Sequence, residues 1–195
     1  MKKFNDFQRS GFTLAAACGL IGITYGVFAD TAGLSLLQAS ALSIFTFTGA
    51  SQFAAVSVID GGGNPAAAVS SALLLSARNA LYGPVITKSL RKGRFYKAAA
   101  AHFVIDETIA VASSQESFKD SRDSFWFTGI SLFIFWNLGT ILGVLLGGIL
   151  EDPGSWGLDA AFPAAFVALI LPHVSTREGK ITAVVAGSVT IVSIP

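Results

Sequence analysis

Charged side chains are scarce in this sequence. Asp, Glu, Lys and Arg make up 13% of its 195 residues, about half of the roughly 25% that a soluble domain carries. The two signs nearly cancel, to +1, which leaves no basic field for nucleic acid and no strong pull toward an acidic partner. Cysteine is limited to Cys18, so no intramolecular disulfide can form. The Gly-rich loop ending in Lys-Ser/Thr that cradles nucleotide phosphates is missing, so ATP is not an energy source for this chain by itself.

What is present is apolar and blocky. Mean hydropathy is +0.64, and the charges fall in short runs: Lys2 to Arg9, Lys88 to Lys97, Glu116 to Asp123, Glu151 to Asp159 and Arg177 to Lys180. Between them lie apolar stretches of about 17 to 27 residues, the length that crosses a hydrocarbon core as a helix. The runs lack the two-residue alternation of a membrane barrel. The fold class is therefore all-α, a polytopic transmembrane bundle of about seven helices forming one domain over 1–195. The expected helices are 12–29, 34–59, 66–87, 98–114, 125–150, 160–174 and 180–195. Asp60-Gly61-Gly62-Gly63-Asn64-Pro65 turns the chain after the second, and Glu151-Asp152-Pro153-Gly154 ends the fifth. The start imitates a signal peptide, but only about six apolar residues precede Cys18, short of the roughly 7–15 of a signal core; it reads as a first span. The last helix is short and reads as cut off at Pro195.

Phe45-Thr46-Phe47-Thr48-Gly49 is echoed 90 positions later by Phe135-Trp136-Asn137-Leu138-Gly139. Copies of three crossings each, 12–87 and 98–174, would lie in opposite orientation, the 3+3 inverted repeat of many secondary transporters. Loop charge does not fix the orientation. With the N-terminus inside, seven Lys/Arg fall on the cytoplasmic side and five on the other, less asymmetry than loop charge usually shows. Either the topology is near balanced, or 98–114 dips into the membrane and returns.

Three groups of polar residues stand out inside apolar helices. Arg78 follows two apolar turns, and placing it near the bilayer centre costs about 2.5–3.5 kcal/mol. It either snorkels to a helix end or faces a partner or cavity, with Tyr82 four residues on along the same face. His102 and Asp106 share a face at i and i+4, with Glu107 rotated by about 100°. They either lie solvated at the interface or form a set that passes protons. A buried Arg78 and a buried acid would satisfy each other, with Asp106 the preferred partner; a substrate carboxylate competing for Arg78 would then free the acid to take up a proton. Thr46, Thr48, Gly49, Ala50, Ser51 and Gln52 weaken the second helix midway, a discontinuous segment of the kind tolerated beside a cavity; close helix packing is the other reading. Gly139, Gly143 and Gly147 form a smooth groove for another helix, as do Gly19, Gly22 and Gly26. His102, Asp106 and His173 would be a metal set only if His173 came near, and nothing places it there, so no metal or cofactor is expected.

The order of these features resembles the AzlC family, the large subunit of the branched-chain amino acid exporters (LIV-E permeases). The similarity runs from Gly11 to about Ile194. It is carried by Gly26-Val27-Phe28-Ala29 with Ala32-Gly33-Leu34-Ser35, by Phe47-Thr48-Gly49-Ala50-Ser51-Gln52-Phe53-Ala54, and by Arg78 with Leu81-Tyr82-Gly83. Asp106-Glu107-Thr108, Leu138-Gly139-Thr140, Asp152-Pro153 and Leu158-Asp159 complete it. Where the family commonly has Asn and His around its Arg, this chain has Ser76 and Asn79, which puts substrate specificity in question. The resemblance implies an exporter of branched-chain amino acids, their analogues and methionine in the bacterial inner membrane, working with a small AzlD-type membrane subunit. Substrate-binding residues would be Gly49, Ala50, Ser51, Gln52, Arg78, Asn79 and Tyr82, and proton-coupling residues Asp106, Glu107 and His102. The residues alone leave two other classes open: a channel or structural membrane subunit, and an intramembrane metal-dependent enzyme.

Overall fold

The computed structural model describes residues 6–90, 93–149, 167 and 173–193. Every regular element among the described residues is helical. Two helices, α1 (Asp6–Thr31) and α8 (Phe118–Gly147), are long and apolar enough to cross a membrane. At 1.5 Å per residue they measure about 39 and 45 Å. Between them come six shorter helices: α2 (Leu36–Phe45), α3 (Ala50–Asp60), α4 (Pro65–Ser76), α5 (Gly83–Thr87), α6 (Arg94–His102) and α7 (Asp106–Ser113). A last helix, α9 (Arg177–Ser193), follows a 3-10 turn at His173–Ser175.

Local chemistry sets four of the helix starts. Ser35 and Gln38 form a reciprocal capping box at α2, with Ser35 N–H donating to Gln38 Oε1 at 2.8 Å. Asn64 caps α4 by accepting from Ala67 N–H at 2.9 Å, and Pro65 fills the first helical position, where its missing donor costs nothing. Ser117 caps α8 and Thr176 caps α9. The last two caps lie in polar stretches, so α8 and α9 begin at residues 118 and 177, ahead of the apolar runs expected from 125 and 180; α1 is already helical at Asp6, ahead of the expected 12.

Three expected helices are interrupted. The second breaks at residues 46–49, between α2 and α3. Gly49 has φ +34°, a backbone conformation that L side chains rarely adopt. The third runs from α4 into α5 through a 3-10 turn, Ala77–Tyr82. Pro84 has no N–H to give to Ala80, and Gly83 N–H donates to that carbonyl instead, tightening the turn. The fourth breaks at residues 103–105. There the buried Thr108 hydroxyl accepts from Ile105 N–H at 3.2 Å and lies 2.6 Å from the Phe103 carbonyl. The expected sixth helix, 160–174, lies outside the described residues except for Val167, which is helical, and its last two residues, which belong to the 3-10 turn. The breaker at 151–154 also lies outside them.

The core is a seam between α1 and α8. Cβ atoms built on Gly139 and Gly143 would lie 2.3 Å from the Gly19 carbonyl and 2.1 Å from the Ile23 carbonyl. One built on Gly26 would lie 2.2 Å from the Thr140 carbonyl, and Gly22 faces the Trp136 backbone at 2.9 Å. The two backbones therefore touch, which only glycine allows. Gly147 completes the row against the Asp30 side chain. Beside the seam, α2 is tied to α8 by a buried hydrogen bond of 3.1 Å between the Ser43 and Thr140 hydroxyls.

Candidate functional site

The three breaks meet on one side of the seam, around a cavity of about 80 Å³. The broken second helix supplies Phe47, Thr48, Gly49, Ala50 and Phe53. The 3-10 turn supplies Arg78 and Asn79, and the start of α7 supplies Ile105, Asp106 and Glu107. The floor comes from the seam helices: Cys18 and Ile21 from α1, Leu132 and Trp136 from α8. Most of this lining is apolar. The site thus joins an oily wall to a small set of polar groups, as small-molecule pockets do.

Arg78 Nη2 lies 2.9 Å from Asp106 Oδ2, and both side chains are about half accessible, at 44% and 41%. Arg78 stands on the 3-10 turn and reaches across to the start of α7. Tyr82, at the end of the same turn, approaches the Asp106 carboxylate without completing a hydrogen bond to its other oxygen. Four residues of the lining each carry a buried polar atom with no hydrogen-bond partner among the described residues: Thr48 Oγ1, Asn79 Oδ1, Asp106 Oδ1 and Trp136 Nε1. Native proteins leave few buried polar groups in that state; four more such atoms, both Gln52 amide atoms, Thr128 Oγ1 and Asn137 Oδ1, belong to residues off the lining.

Gly49 faces the indole of Trp136, with an ideal Cβ only 3.3 Å from Cη2. Its positive φ favours glycine, and a Cβ there would press on the Trp136 ring. Ser51 and Gln52 stand on α3 but not on the cavity lining; both are fully buried. Gln52 leaves both amide atoms without a partner among the described residues. The neighbouring Tyr25 hydroxyl reaches instead for the Ala39 carbonyl, at 3.4 Å.

His102 is not part of this set. The expected i, i+4 relation to Asp106 does not hold, because α6 ends at His102 and the chain breaks before α7 begins. The imidazole stacks on Phe47 with ring centroids 5.9 Å apart and packs edge-on against Phe103 and Phe133. No group of three His, Cys, Asp or Glu residues that could hold a metal occurs among the described residues, and the His173 side chain lies outside them.

Sequence reasoning brought Gly49, Ala50, Arg78, Asn79, Asp106 and Glu107 to the site and missed Trp136, Cys18 and Ile105 as lining. Trp136 carried a readable signal. Tryptophan favours membrane interfaces, where its N–H is wet; one in mid-helix needs a polar reason.

Two long apolar helices, with interrupted helices bringing polar groups to a cavity beside them, define an α-helical membrane protein. The chain belongs to the AzlC family: the family model described as AzlC protein matches residues 13–150. It is 30% identical over 184 residues to an uncharacterised membrane protein of Archaeoglobus fulgidus, covering 92% of this chain and 80% of that one. It is 26% identical over 189 residues to the inner membrane protein YgaZ of Escherichia coli, covering 90% and 76%. It is 24% identical over 153 residues to the branched-chain amino acid transport protein AzlC of Bacillus subtilis, covering 77% and 60%. No solved structure matches the chain.

Proposed function

We propose that this chain is the large subunit of a secondary transporter that exports branched-chain amino acids and their analogues across the bacterial inner membrane. It works with a small AzlD-type membrane subunit and draws on the proton gradient. The name of the Bacillus subtilis relative supports the substrate class. The observation that carries the reading is the Arg78–Asp106 pair at the edge of an apolar cavity.

Arg78 carries a guanidinium, a permanent cation with donors only. Inside a membrane it needs an anion. In the empty site that anion is Asp106. An amino-acid carboxylate entering the cavity competes for the guanidinium, and its planar fork can hold the newcomer through two parallel hydrogen bonds. Asp106, once released, is the group that exchanges a proton with the bulk, and Glu107 beside it is the reserve acid. Phe47, Phe53, Ile105 and Leu132 offer a branched aliphatic side chain an apolar surface. No nucleotide or metal is needed for such a cycle. On this reading the chain is a carrier and not an enzyme.

The test is efflux from vesicles loaded with labelled leucine, with and without the small subunit, under an imposed pH gradient. Proton-driven efflux and counterflow of unlabelled leucine are expected. Efflux that ignores the gradient and shows no counterflow would make the protein a channel.

A further inference from the structure

Four aromatic rings meet where two of the breaks face the seam. Phe47 comes from the break in the second helix, His102 and Phe103 from the end of α6 and the break that follows it, and Phe133 from α8. All six pairs that four rings can form are in contact, with centroids between 5.2 and 6.0 Å apart. We propose that this cluster couples the two breaks, so that neither changes shape without the other. The coupling itself follows from the packing; its use as a gate rests on the exporter reading above.

The rings stand beside the cavity lining. Phe47 is itself part of the lining and precedes Thr48 and Gly49 there, while Phe103 comes just before Ile105, Asp106 and Glu107. A change at either break therefore moves rings and lining together. The third support is the seam. Phe133 belongs to α8, and α8 also presents Gly129 to Phe103, where a Cβ would lie 3.1 Å from the ring. Glycine is a poor residue for the middle of a long helix; here its missing side chain gives the Phe103 ring its place. The His102 imidazole also reaches toward the Ile44 carbonyl in the last turn of α2, one of the carbonyls that a helix end leaves free.

Each ring touches the other three. Withdrawing Phe47 alone strips a contact from His102, Phe103 and Phe133 at once, and withdrawing Phe103 alone does the same to its three neighbours. Ring contacts depend on offset and tilt, and close-packed groups hold one arrangement or another rather than deform smoothly. A cluster shared by two joints and a fixed wall thus makes their motion all-or-none. In the proposed export cycle, joints that move as one keep the cavity open to one face at a time.

The experiment is amide hydrogen exchange, followed by mass spectrometry, on the full chain in lipid nanodiscs without substrate. The reporting amides are those bonded beside each break: Gln52 and Phe53, which donate to the Gly49 carbonyl, and Ile109, which donates to the Ile105 carbonyl. Phe103→Leu should speed exchange at Gln52 and Phe53 about tenfold, and Phe47→Leu should speed Ile109 by a similar factor, because coupling is reciprocal. Phe103→Tyr, which keeps the ring, should exchange like the parent. Phe12→Leu removes an edge-on contact between the seam helices, to Phe135 at 5.3 Å, and should alter neither break. No acceleration at the other break, or an equal acceleration across residues 19–26, would overturn the coupling. In vesicles loaded with labelled leucine, with no pH gradient and no external leucine, Phe103→Leu should leak about tenfold faster than the parent. An unchanged leak beside cross-break acceleration would overturn the gate. Cross-break acceleration with no leucine movement in the parent would keep the coupling and remove the exporter reading; leucine export without cross-break acceleration would do the reverse.

Discussion

Gly143→Ala adds a single methyl group, yet it should be among the most damaging small changes in this protein. A Cβ at that position would sit 2.1 Å from the Ile23 carbonyl and 2.8 Å from Gly26 Cα. Real Cβ atoms essentially never come within 3.0 Å of a neighbour. Both obstacles are backbone, so no rotamer change relieves them, and α1 and α8 must part locally by close to an ångström. A gap of that size forfeits a quarter to a half of the dispersion energy of the contacts it opens. Overpacking usually costs about 1–3 kcal/mol; the unyielding backbone contact puts this case near about 3 kcal/mol. Gly148→Ala is the control. It adds the same methyl one residue past the end of the same helix, where the nearest atoms are 3.9 Å away, and should cost under about 0.5 kcal/mol. The assay is thermal unfolding of the two variants and the parent in detergent, followed by intrinsic fluorescence and by size-exclusion recovery after heating. Gly143→Ala should melt clearly below the parent and Gly148→Ala with it. Coincident curves for all three would refute the backbone contact.

The other expectations concern transport. Gly49→Leu should insert normally yet export nothing, because a side chain there is strained by the +34° φ and driven toward Trp136; normal vesicle efflux would remove the glycine from the site. Asp106→Asn should lose proton-driven efflux but keep leucine exchange, and unchanged efflux under a pH gradient would sink the coupling role. Arg78→Lys should weaken leucine binding about tenfold, because an ammonium cannot grip a carboxylate through two parallel bonds; equilibrium binding at wild-type affinity would count against the guanidinium as the carboxylate holder. Segments 34–87 and 125–174 should superpose about a two-fold axis in the membrane plane. An experimental structure in which they match only in parallel, or not at all, would end the inverted-repeat proposal.

Charge distribution made the membrane bundle and its long helices legible, because a span must exclude charge for its whole length. The glycine rows at 19, 22, 26 and at 139, 143, 147 were legible as surfaces, since spacing alone puts them on one face. Which two surfaces would meet was not readable from either row. The breaks were harder. The segment at 46–52 betrayed itself by its hydroxyl and small residues, but 103–105 is Phe-Val-Ile and looks like uninterrupted span. Hydropathy cannot see it, because broken and unbroken backbone are equally apolar when both lie in hydrocarbon. What makes that break tenable is one hydroxyl, on Thr108, which satisfies backbone groups that the missing helical turn would have paired. The same blindness put His102 and Asp106 on a common face: an i, i+4 argument holds only while the helix does.

The glycine seam also bears on motion. Two helices whose backbones interlock from Gly19 to Gly143 cannot slide past each other or roll without collision, so they form a stiff wall across the membrane. The cavity stands against that wall, but most of its lining hangs on pieces of 12 residues or fewer, joined by breaks of three to six residues. Those joints are where backbone angles can change without unmaking a helix. In the proposed export cycle, hinged half-helices swing against a fixed partition as the cavity opens to one face and then the other. Distance probes placed across the seam should stay still while probes on either side of residues 46–49 or 103–105 move.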